Sequence, residues 1–203
     1  MKLWYSPASP FVRKVLIMAH ETGMINKLEL VEAASTALNP NMDLMKDNPL
    51  GKIPTLVTDD GFSIFDSSVI CEYLDGLHDG EKMIPLHGEA RLNALVTQSI
   101  GNGIMDAAVA ARYEQALRPE EKQFDEWIEG QFKKVFQALD VLETWRGARI
   151  QDIHIGSIAV VSALSYMDFR HGNRDWRVGR PVLTQMLETF SKRDSMLKTD
   201  PAG

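Results

Sequence analysis

A proline at the entrance of an apolar, β-branched run constrains this chain more than any other residue. Pro54 follows a glycine turn and opens the run Thr55–Val57. Because proline cannot donate to a sheet ladder, it needs a structural reason to stand at a strand entrance. One reason is a cis Ile53–Pro54 bond, which turns the Ile53 backbone outward, free to pair with an extended peptide. The alternative is a trans proline at an edge strand. The trans form is preferred by only about 0.5–1 kcal/mol, so packing can select cis.

The first 78 residues alternate between strand and helix patterns. Pro10 suits a first helical turn, because its missing N–H would be unpaired there, and Gly23 supplies a helix stop. Residues 59–61 favour a hairpin turn, and no regular element is predicted between residues 32 and 48. The pattern predicts strands at Leu3–Ser6, Leu28–Val31, Thr55–Thr58 and Ser63–Phe65, and helices at Pro10–Thr22 and Ser67–Leu77. It indicates a small α/β unit over residues 1–78.

Strand patterns are absent beyond residue 78. Residues 79–87 are polar, contain glycine and proline, and are predicted to be a linker. Apolar residues then recur at helical spacing, and this spacing predicts helices at Glu89–Gln115, Glu120–Thr144, Ser157–Phe169 and Arg180–Lys192. Residues 88–203 are therefore predicted to form an all-helical domain.

Composition restricts the kind of function. The 203 residues carry a net charge of −6, which argues against a nucleic-acid surface, since that needs clustered cations. Cys71 is the only cysteine, so neither an internal disulfide nor a Cys-x-x-Cys redox pair is expected. The five histidines lack metal-ligand spacing, so no metal is expected. No apolar stretch is long enough to span a bilayer, and no signal peptide is recognised. The sequence predicts a cytoplasmic protein without membrane or nucleic-acid partners.

Three motifs in order resemble the glutathione S-transferase family. Ser9-Pro10-Phe11 follows the first strand, Gly51-Lys52-Ile53-Pro54 precedes a later one, and Asp66-Ser67 begins a helix. Residues 166–170, Tyr-Met-Asp-Phe-Arg, are similar to a bacterial subgroup. The resemblance implies a thioredoxin-like N-terminal domain, an all-α C-terminal domain, glutathione as co-substrate and a homodimer.

Ser9 is the predicted donor to the glutathione thiolate. Lowering a thiol pKa from ~8.5 by about two units needs ~2.7 kcal/mol. A helix N-terminus supplies about 0.3–1 kcal/mol and a hydrogen bond to a charged group about 1.5–3 kcal/mol, so together they suffice. Omega-class relatives have cysteine at this place, so this chain carries an omega-like frame with serine. Ser6 is the alternative donor, and a simple N-cap is the alternative role for Ser9.

The resemblance assigns the rest of the glutathione site. The Ile53 backbone, presented by Pro54, is expected to pair with the cysteinyl backbone of glutathione like an added strand. Lys52 is a candidate cation for the glycine carboxylate. Asp66 is expected to meet the γ-glutamyl ammonium, and Ser67 the γ-glutamyl carboxylate at a helix start. An N-cap run at residues 66–68 and a solvated lysine are the structural alternatives.

Phe11 completes the Ser-Pro-Phe frame and is included with the glutathione-binding residues. Met105 and Tyr113 are candidates for an apolar pocket that binds the electrophile, with ordinary helix packing as the alternative. Cys71 is predicted to be buried and inert.

The predicted function is a glutathione transferase that ionises the glutathione thiol and adds it to a hydrophobic electrophile in detoxification. One alternative is a non-catalytic regulatory protein of the same fold, similar to the stringent starvation proteins. Another is a glutathione-dependent isomerase or peroxidase.

One departure from the family concerns the start of a helix in the second domain. A Ser/Thr-x-x-Asp capping box usually begins it, but the two places here hold His154 and Ser157. Because the acidic partner is missing and Gly156 lies in the same turn, we predict a weaker helix start, by about 1 kcal/mol.

Overall fold

The computed structural model describes residues 1–145 and 152–201. The chain forms two compact units. The first is Met1–Ile84 together with the C-terminal segment that begins at Asp194, and the second is Pro85–Arg193. These bounds differ from the predicted ones at both ends. The predicted linker is largely part of the first unit, and the chain returns to that unit after the last helix of the second.

Hydrogen bonds explain both differences. The Asp75 carboxylate accepts from the backbone N–H groups of Met83 and Ile84, at 2.9 and 3.0 Å, and so holds the predicted linker against a helix end. At the other end of the chain, Arg13 donates to the Met196 carbonyl oxygen over 3.2 Å. No local sequence pattern predicts either contact, because each joins residues that are distant in the chain or lie in irregular backbone.

The first unit is a mixed four-stranded sheet with helices. Its strands are β1 (Lys2–Tyr5), β2 (Glu29–Glu32), β3 (Thr55–Val57) and β4 (Ser63–Ile64), and its helices are α1 (Pro10–Glu21), α2 (Met42–Asp47) and α3 (Ser67–Gly76), with a 3-10 turn at Met24–Lys27. The order is β2-β1-β3-β4, with β1 parallel to β2 and every other pair antiparallel. This confirms the predicted thioredoxin-like domain.

The apolar side chains of the strands and helices form the core of this unit. Leu3 and Leu56 pair across β1 and β3, and both are completely buried. Val15, Ile70 and Leu74 bury the apolar faces of α1 and α3. The predicted stop after α1 is confirmed, since Gly23 takes the left-handed conformation with φ +71°.

Helix α2 was not predicted. It begins at Asn41, whose side-chain oxygen accepts from the N–H groups of Asp43 and Leu44, at 3.1 and 3.0 Å. Leu44 is the buried residue of this helix, and it packs with Trp4. A helix of six residues shows too few apolar positions to produce a periodic pattern.

Every regular element that the described residues form in the second unit is a helix. This confirms the predicted all-helical part. The helices are α4 (Gly88–Leu117), α5 (Asp125–Thr144), α6 (Ile155–His171) and α7 (Pro181–Phe190), with a 3-10 turn at Glu120–Lys122, while α8 (Asp194–Leu197) follows in the first unit. The helix predicted from Glu120 starts five residues later, and α7 is shorter than predicted.

The predicted weakness at the start of α6 is wrong. His154 Nδ1 accepts from the N–H groups of Gly156 and Ser157, at 3.0 and 3.4 Å. The Ser157 hydroxyl accepts in return from the His154 N–H over 2.9 Å. The imidazole nitrogen thus replaces a hydroxyl, and serine replaces the acidic side chain, in a complete capping box.

Gly156 is explained by close packing of α6 against α4. A Cβ at this position would lie 2.7 Å from the Ala94 carbonyl oxygen and 2.7 Å from Thr97 Cβ. The same holds for Gly101 on α4, where a Cβ would lie 2.8 Å from Ala159 Cβ. Glycine at these places lets the two helix backbones approach, so both residues stabilise the packing rather than weaken the helix.

Candidate functional site

The strand register determines which loops are neighbours. Trp4 in β1 lies opposite Thr55 in β3, and Leu56 in β3 lies opposite Ile64 in β4. Because both pairs are antiparallel, the end of β1, the beginning of β3 and the end of β4 lie side by side. Residues that follow β1, precede β3 and follow β4 are therefore brought to one end of the sheet.

The three predicted motifs occupy these positions. Ser9 follows β1, Ile53 precedes β3 and Asp66 follows β4. Segments that are far apart in the sequence thus supply a hydroxyl, an extended backbone segment and a helix start at the same end of the sheet. This is the arrangement that the sequence motifs predict for a peptide-binding site.

Ser9 is the N-cap of α1. Its Oγ accepts from the Val12 N–H over 3.3 Å, and its own N–H donates to the Ser6 carbonyl oxygen over 3.1 Å. A serine hydroxyl has one donor hydrogen besides its acceptor positions. Capping therefore leaves the Ser9 hydroxyl hydrogen available for a ligand, and the predicted donor role is compatible with the structural one. Ser9, Ser6 and Phe11 are all half-buried.

The turn before β3 presents Ile53. The Ile53–Pro54 peptide bond is cis, as predicted. Pro54 is buried and Ile53 half-buried, whereas Lys52 is exposed. Within the described part of the chain, the Ile53 backbone N–H and C=O form no hydrogen bond. Both groups are therefore available to a strand added beside them.

Asn48 fixes this turn, and the sequence motifs did not single it out. It is buried, and its side-chain nitrogen donates to the Lys52 carbonyl oxygen and to Thr55 Oγ1, at 3.0 and 2.9 Å. Its side-chain oxygen accepts from the Leu50 N–H over 3.0 Å. Asn48 thus fastens both ends of the turn around Ile53. The Asn-Pro pair at the start of this turn is a turn signal, and it is the sequence pattern by which Asn48 could have been found.

The start of α3 combines an exposed carboxylate with a buried hydroxyl. Asp66 is exposed and caps the helix, accepting from the Ser68 N–H over 2.9 Å. Ser67 is only 2% exposed, so its side chain offers almost no surface to a ligand. The peptide bond between Phe65 and Asp66 is cis.

A buried lysine lies near the same helix start. Lys14 on α1 is completely buried, with Nζ 3.4 Å from Ser68 Oγ. No sequence pattern indicated this contact, because a lysine in a helix is ordinarily exposed. One turn further along α3, burial raises the pKa of the Cys71 thiol to about 11, which favours the neutral thiol.

The two candidates for the electrophile pocket lie on α4 in the helical unit. Met105 is completely buried, whereas Tyr113 is 45% exposed. The burial of Met105 accords with the packing alternative, and the exposure of Tyr113 leaves its ring accessible.

The comparisons with known proteins define the class. A family model for the N-terminal domain of glutathione S-transferases matches residues 8–77. The uncharacterized GST-like protein YibF of Escherichia coli (strain K12) is 34% identical over 99% of this chain and 98% of its own length. The chain therefore belongs to the glutathione S-transferase family, which confirms the resemblance seen in the motifs.

Solved structures agree over almost the full length. A glutathione transferase family member from Pseudomonas fluorescens Pf-5, crystallised with glutathione, matches with a TM-score of 0.96, 44% identity and coverage of 98% of both chains. A structure from the same strain, with bound S-(propanoic acid)-glutathione, matches with a TM-score of 0.92, 42% identity and coverage of 99% of both chains.

Within residues 1–145 and 152–201, no helix is long and apolar enough to cross a membrane. The same residues contain no group of three or more His, Cys, Asp or Glu side chains arranged to hold a metal ion.

Proposed function

We propose that this protein is a glutathione transferase, which ionises the glutathione thiol and joins the sulfur to a hydrophobic electrophile. The proposal rests on the Ile53 backbone N–H and C=O groups, which form no hydrogen bond within the described part of the chain. They stand at the end of the sheet where Ser9 and the start of α3 also lie. The cysteinyl backbone of glutathione pairs with Ile53, and this pairing orients the thiol toward the α1 N-terminus.

Ser9 acts on the sulfur. Its hydroxyl hydrogen donates to the thiolate while its oxygen continues to accept from the Val12 N–H. The donated hydrogen bond favours the anion by about 1.5–3 kcal/mol, and the helix N-terminus adds about 0.3–1 kcal/mol. Together these favour the thiolate, with the proton released to solvent. Phe11 forms part of the same glutathione site.

The charged ends of glutathione set its direction. Lys52 is exposed beside Ile53, and its ammonium donates to the glycine carboxylate as an ion pair. At the other end, the Asp66 carboxylate binds the γ-glutamyl ammonium. The γ-glutamyl carboxylate lies at the α3 N-terminus by Ser67, where backbone N–H groups attract an anion. The buried Lys14 ammonium, near Ser68, adds positive charge below that end.

The family member from P. fluorescens supports this function, since its two structures hold glutathione and S-(propanoic acid)-glutathione. We propose further that the protein is a cytoplasmic homodimer that acts in detoxification. Light scattering with size-exclusion chromatography at micromolar concentration tests the dimer, and a monomer under these conditions contradicts it.

The test of function is a glutathione titration followed by calorimetry and by ultraviolet thiolate absorbance. Wild type is expected to bind glutathione and to show the thiolate signal. Ser9→Ala is expected to bind glutathione without that signal. Ser9→Thr is the matched variant, because it keeps both the cap and a hydroxyl. Ser6→Ala tests whether Ser6, the alternative donor, supplies the hydrogen bond to the thiolate.

Three results would contradict parts of the proposal. A thiolate signal retained in Ser9→Ala and lost in Ser6→Ala moves the donor role to Ser6. Binding without turnover on a panel of electrophiles replaces the transferase with a non-catalytic glutathione-binding protein. No binding to wild type refutes the site as a whole.

A further inference from the structure

The peptide unit between Lys52 and Ile53 is held on one side only. Its carbonyl oxygen, which belongs to Lys52, accepts from Asn48 Nδ2 over 3.0 Å and from Thr55 Oγ1 over 2.8 Å. Its N–H group, which belongs to Ile53, forms no hydrogen bond within the described part of the chain. This peptide bond is trans, so the C=O and N–H groups share a plane and point in opposite directions. The two donors to the carbonyl oxygen therefore also set the direction of the Ile53 N–H.

Both donors are buried and are held by other parts of the first unit. Asn48 ends α2, where its N–H donates to the Leu44 carbonyl oxygen over 2.8 Å. Thr55 begins β3 and pairs with Trp4 in β1. Asn48 Nδ2 also donates to Thr55 Oγ1 over 2.9 Å, which joins the two donors to each other. The Lys52 carbonyl oxygen is thus connected both to a helix and to the sheet.

The hydrogen-bonding groups of Asn48 allow one orientation of its amide. The side-chain oxygen accepts from the Leu50 N–H over 3.0 Å, and the backbone oxygen accepts from the Gly51 N–H over 2.8 Å. The amide nitrogen has two hydrogens, and both are used, for Lys52 and Thr55. The reversed amide would place its oxygen against the Lys52 carbonyl oxygen, so Asn48 holds this peptide unit in a single direction.

Resting on the proposed transferase function, we infer that Asn48 and Thr55 are positioning residues that aim the Ile53 N–H at the cysteinyl carbonyl oxygen of glutathione. Each acts through the Lys52–Ile53 peptide unit rather than by touching the ligand. Opposed residues of an antiparallel ladder exchange an N–H and a C=O bond, so a strand added at Ile53 needs this N–H in one direction. Fixing that direction in the free protein lowers the entropic cost of binding.

The inference names the feature of the ligand that is recognised, an amide carbonyl on the carbon that bears the thiol side chain. Two thiols test it. γ-Glutamylcysteinamide has this carbonyl, whereas γ-glutamylcysteamine has a hydrogen in place of the whole carboxamide. Their dissociation constants are measured by calorimetry in competition with glutathione. We expect wild type to prefer the cysteinamide by about fivefold, which is the effect of one neutral hydrogen bond.

Two variants each remove one donor to the Lys52 carbonyl oxygen. Thr55→Val keeps the β-branched shape, and Asn48→Asp keeps the side-chain oxygen. We expect each to reduce the preference to about twofold or less. Thr58→Val is the matched control, because the Thr58 hydroxyl also closes a turn, accepting from the Phe62 N–H over 2.9 Å, but Thr58 follows β3 at its other end. The control is expected to keep the preference. If Asn48→Asp does not fold, Thr55→Val decides the question.

A second measurement needs neither ligand nor turnover. Backbone amide relaxation, measured by NMR on the free protein, reports the order parameter of the Ile53 N–H. We expect about 0.85, the value of rigid backbone, in wild type and in Thr58→Val. In Thr55→Val we expect a fall toward about 0.6, the value of flexible backbone. An Ile53 amide that stays as rigid in Thr55→Val as in wild type overturns the inference.

The outcomes separate this inference from the transferase proposal. A preference retained in Thr55→Val and Asn48→Asp overturns the inference and leaves the transferase standing. Equal weakening of both thiols means that the two side chains only stabilise the fold, and it also overturns the inference. A preference lost in both variants, without turnover of any electrophile, supports the inference and contradicts the transferase. If wild type binds neither glutathione nor the two thiols, the glutathione site is refuted and the inference falls with it.

Discussion

Replacing Gly101 by alanine tests the close approach of α4 and α6. A Cβ there would lie 2.8 Å from both the backbone carbon and Cβ of Ala159, and 3.0 Å from its carbonyl oxygen. Ordinary carbon contacts are about 3.5–4.0 Å, so the helices must separate by roughly 1 Å. Two of the contacted atoms belong to the backbone, which cannot rotate away.

The magnitude follows from two opposing effects. Alanine in a helix interior is favoured over glycine by about 1 kcal/mol. Overpacking a core costs about 1–3 kcal/mol, and the backbone contacts place this site at the upper end. We therefore expect Gly101→Ala to lower the free energy of unfolding by about 2 kcal/mol. Urea unfolding followed by far-ultraviolet circular dichroism measures the change.

Gly103→Ala is the matched control on the same helix. A Cβ at Gly103 meets nothing within 4 Å, so only the helix propensity changes. We expect this variant to gain about 0.5–1 kcal/mol. Opposite signs for the same substitution two positions apart support the packing argument. If Gly101→Ala proves as stable as wild type or more stable, the close approach of the two helices is refuted.

Three further predictions concern single side chains. His154→Ala is expected to lower the free energy of unfolding by about 1 kcal/mol, measured by urea unfolding, because the N-cap acceptor is lost; His154→Asp restores an acceptor, and an equal loss in both variants would contradict the capping role. Burial lowers the pKa of His171 below its ordinary 6.5, so the unfolded chain binds more protons and stability falls as pH drops below about 6.5; thermal unfolding at several pH values is expected to show a shallower fall in His171→Gln, and an unchanged slope would count against this assignment. Because Cys71 is completely buried and its thiol is neutral, a maleimide is expected to leave the native protein unmodified at pH 8 and to label it in urea; rapid labelling of the native protein, seen by mass spectrometry, would show that the thiol is accessible.

Local sequence patterns determined most of the secondary structure and the family. The proline and glycine punctuation at Pro10, Gly23 and Pro54 placed α1, its end and the start of β3, because each residue restricts the backbone in a way that depends little on distant contacts. Apolar spacing predicted the long helices of the second unit for the same reason. Short elements such as α2 were not predicted, since so few residues show almost no periodicity.

The site was only partly accessible from the sequence. The sequence motifs identified Ser9, Ile53 and Asp66 as candidates. Only the strand register showed that all three lie at one end of the sheet. The support around Ile53 from Asn48 also needed the folded turn, because it consists of hydrogen bonds whose geometry no residue pattern encodes.

The sequence by itself therefore determined the family, the order of the elements and the residues that define the glutathione motifs, since these depend on local backbone preferences. Only the tertiary structure decided the return of α8 to the first unit and the close packing of Gly101 on α4 against Ala159 on α6. Each of these depends on contacts between residues far apart in the chain, where packing and hydrogen-bond geometry, rather than local propensity, set the outcome.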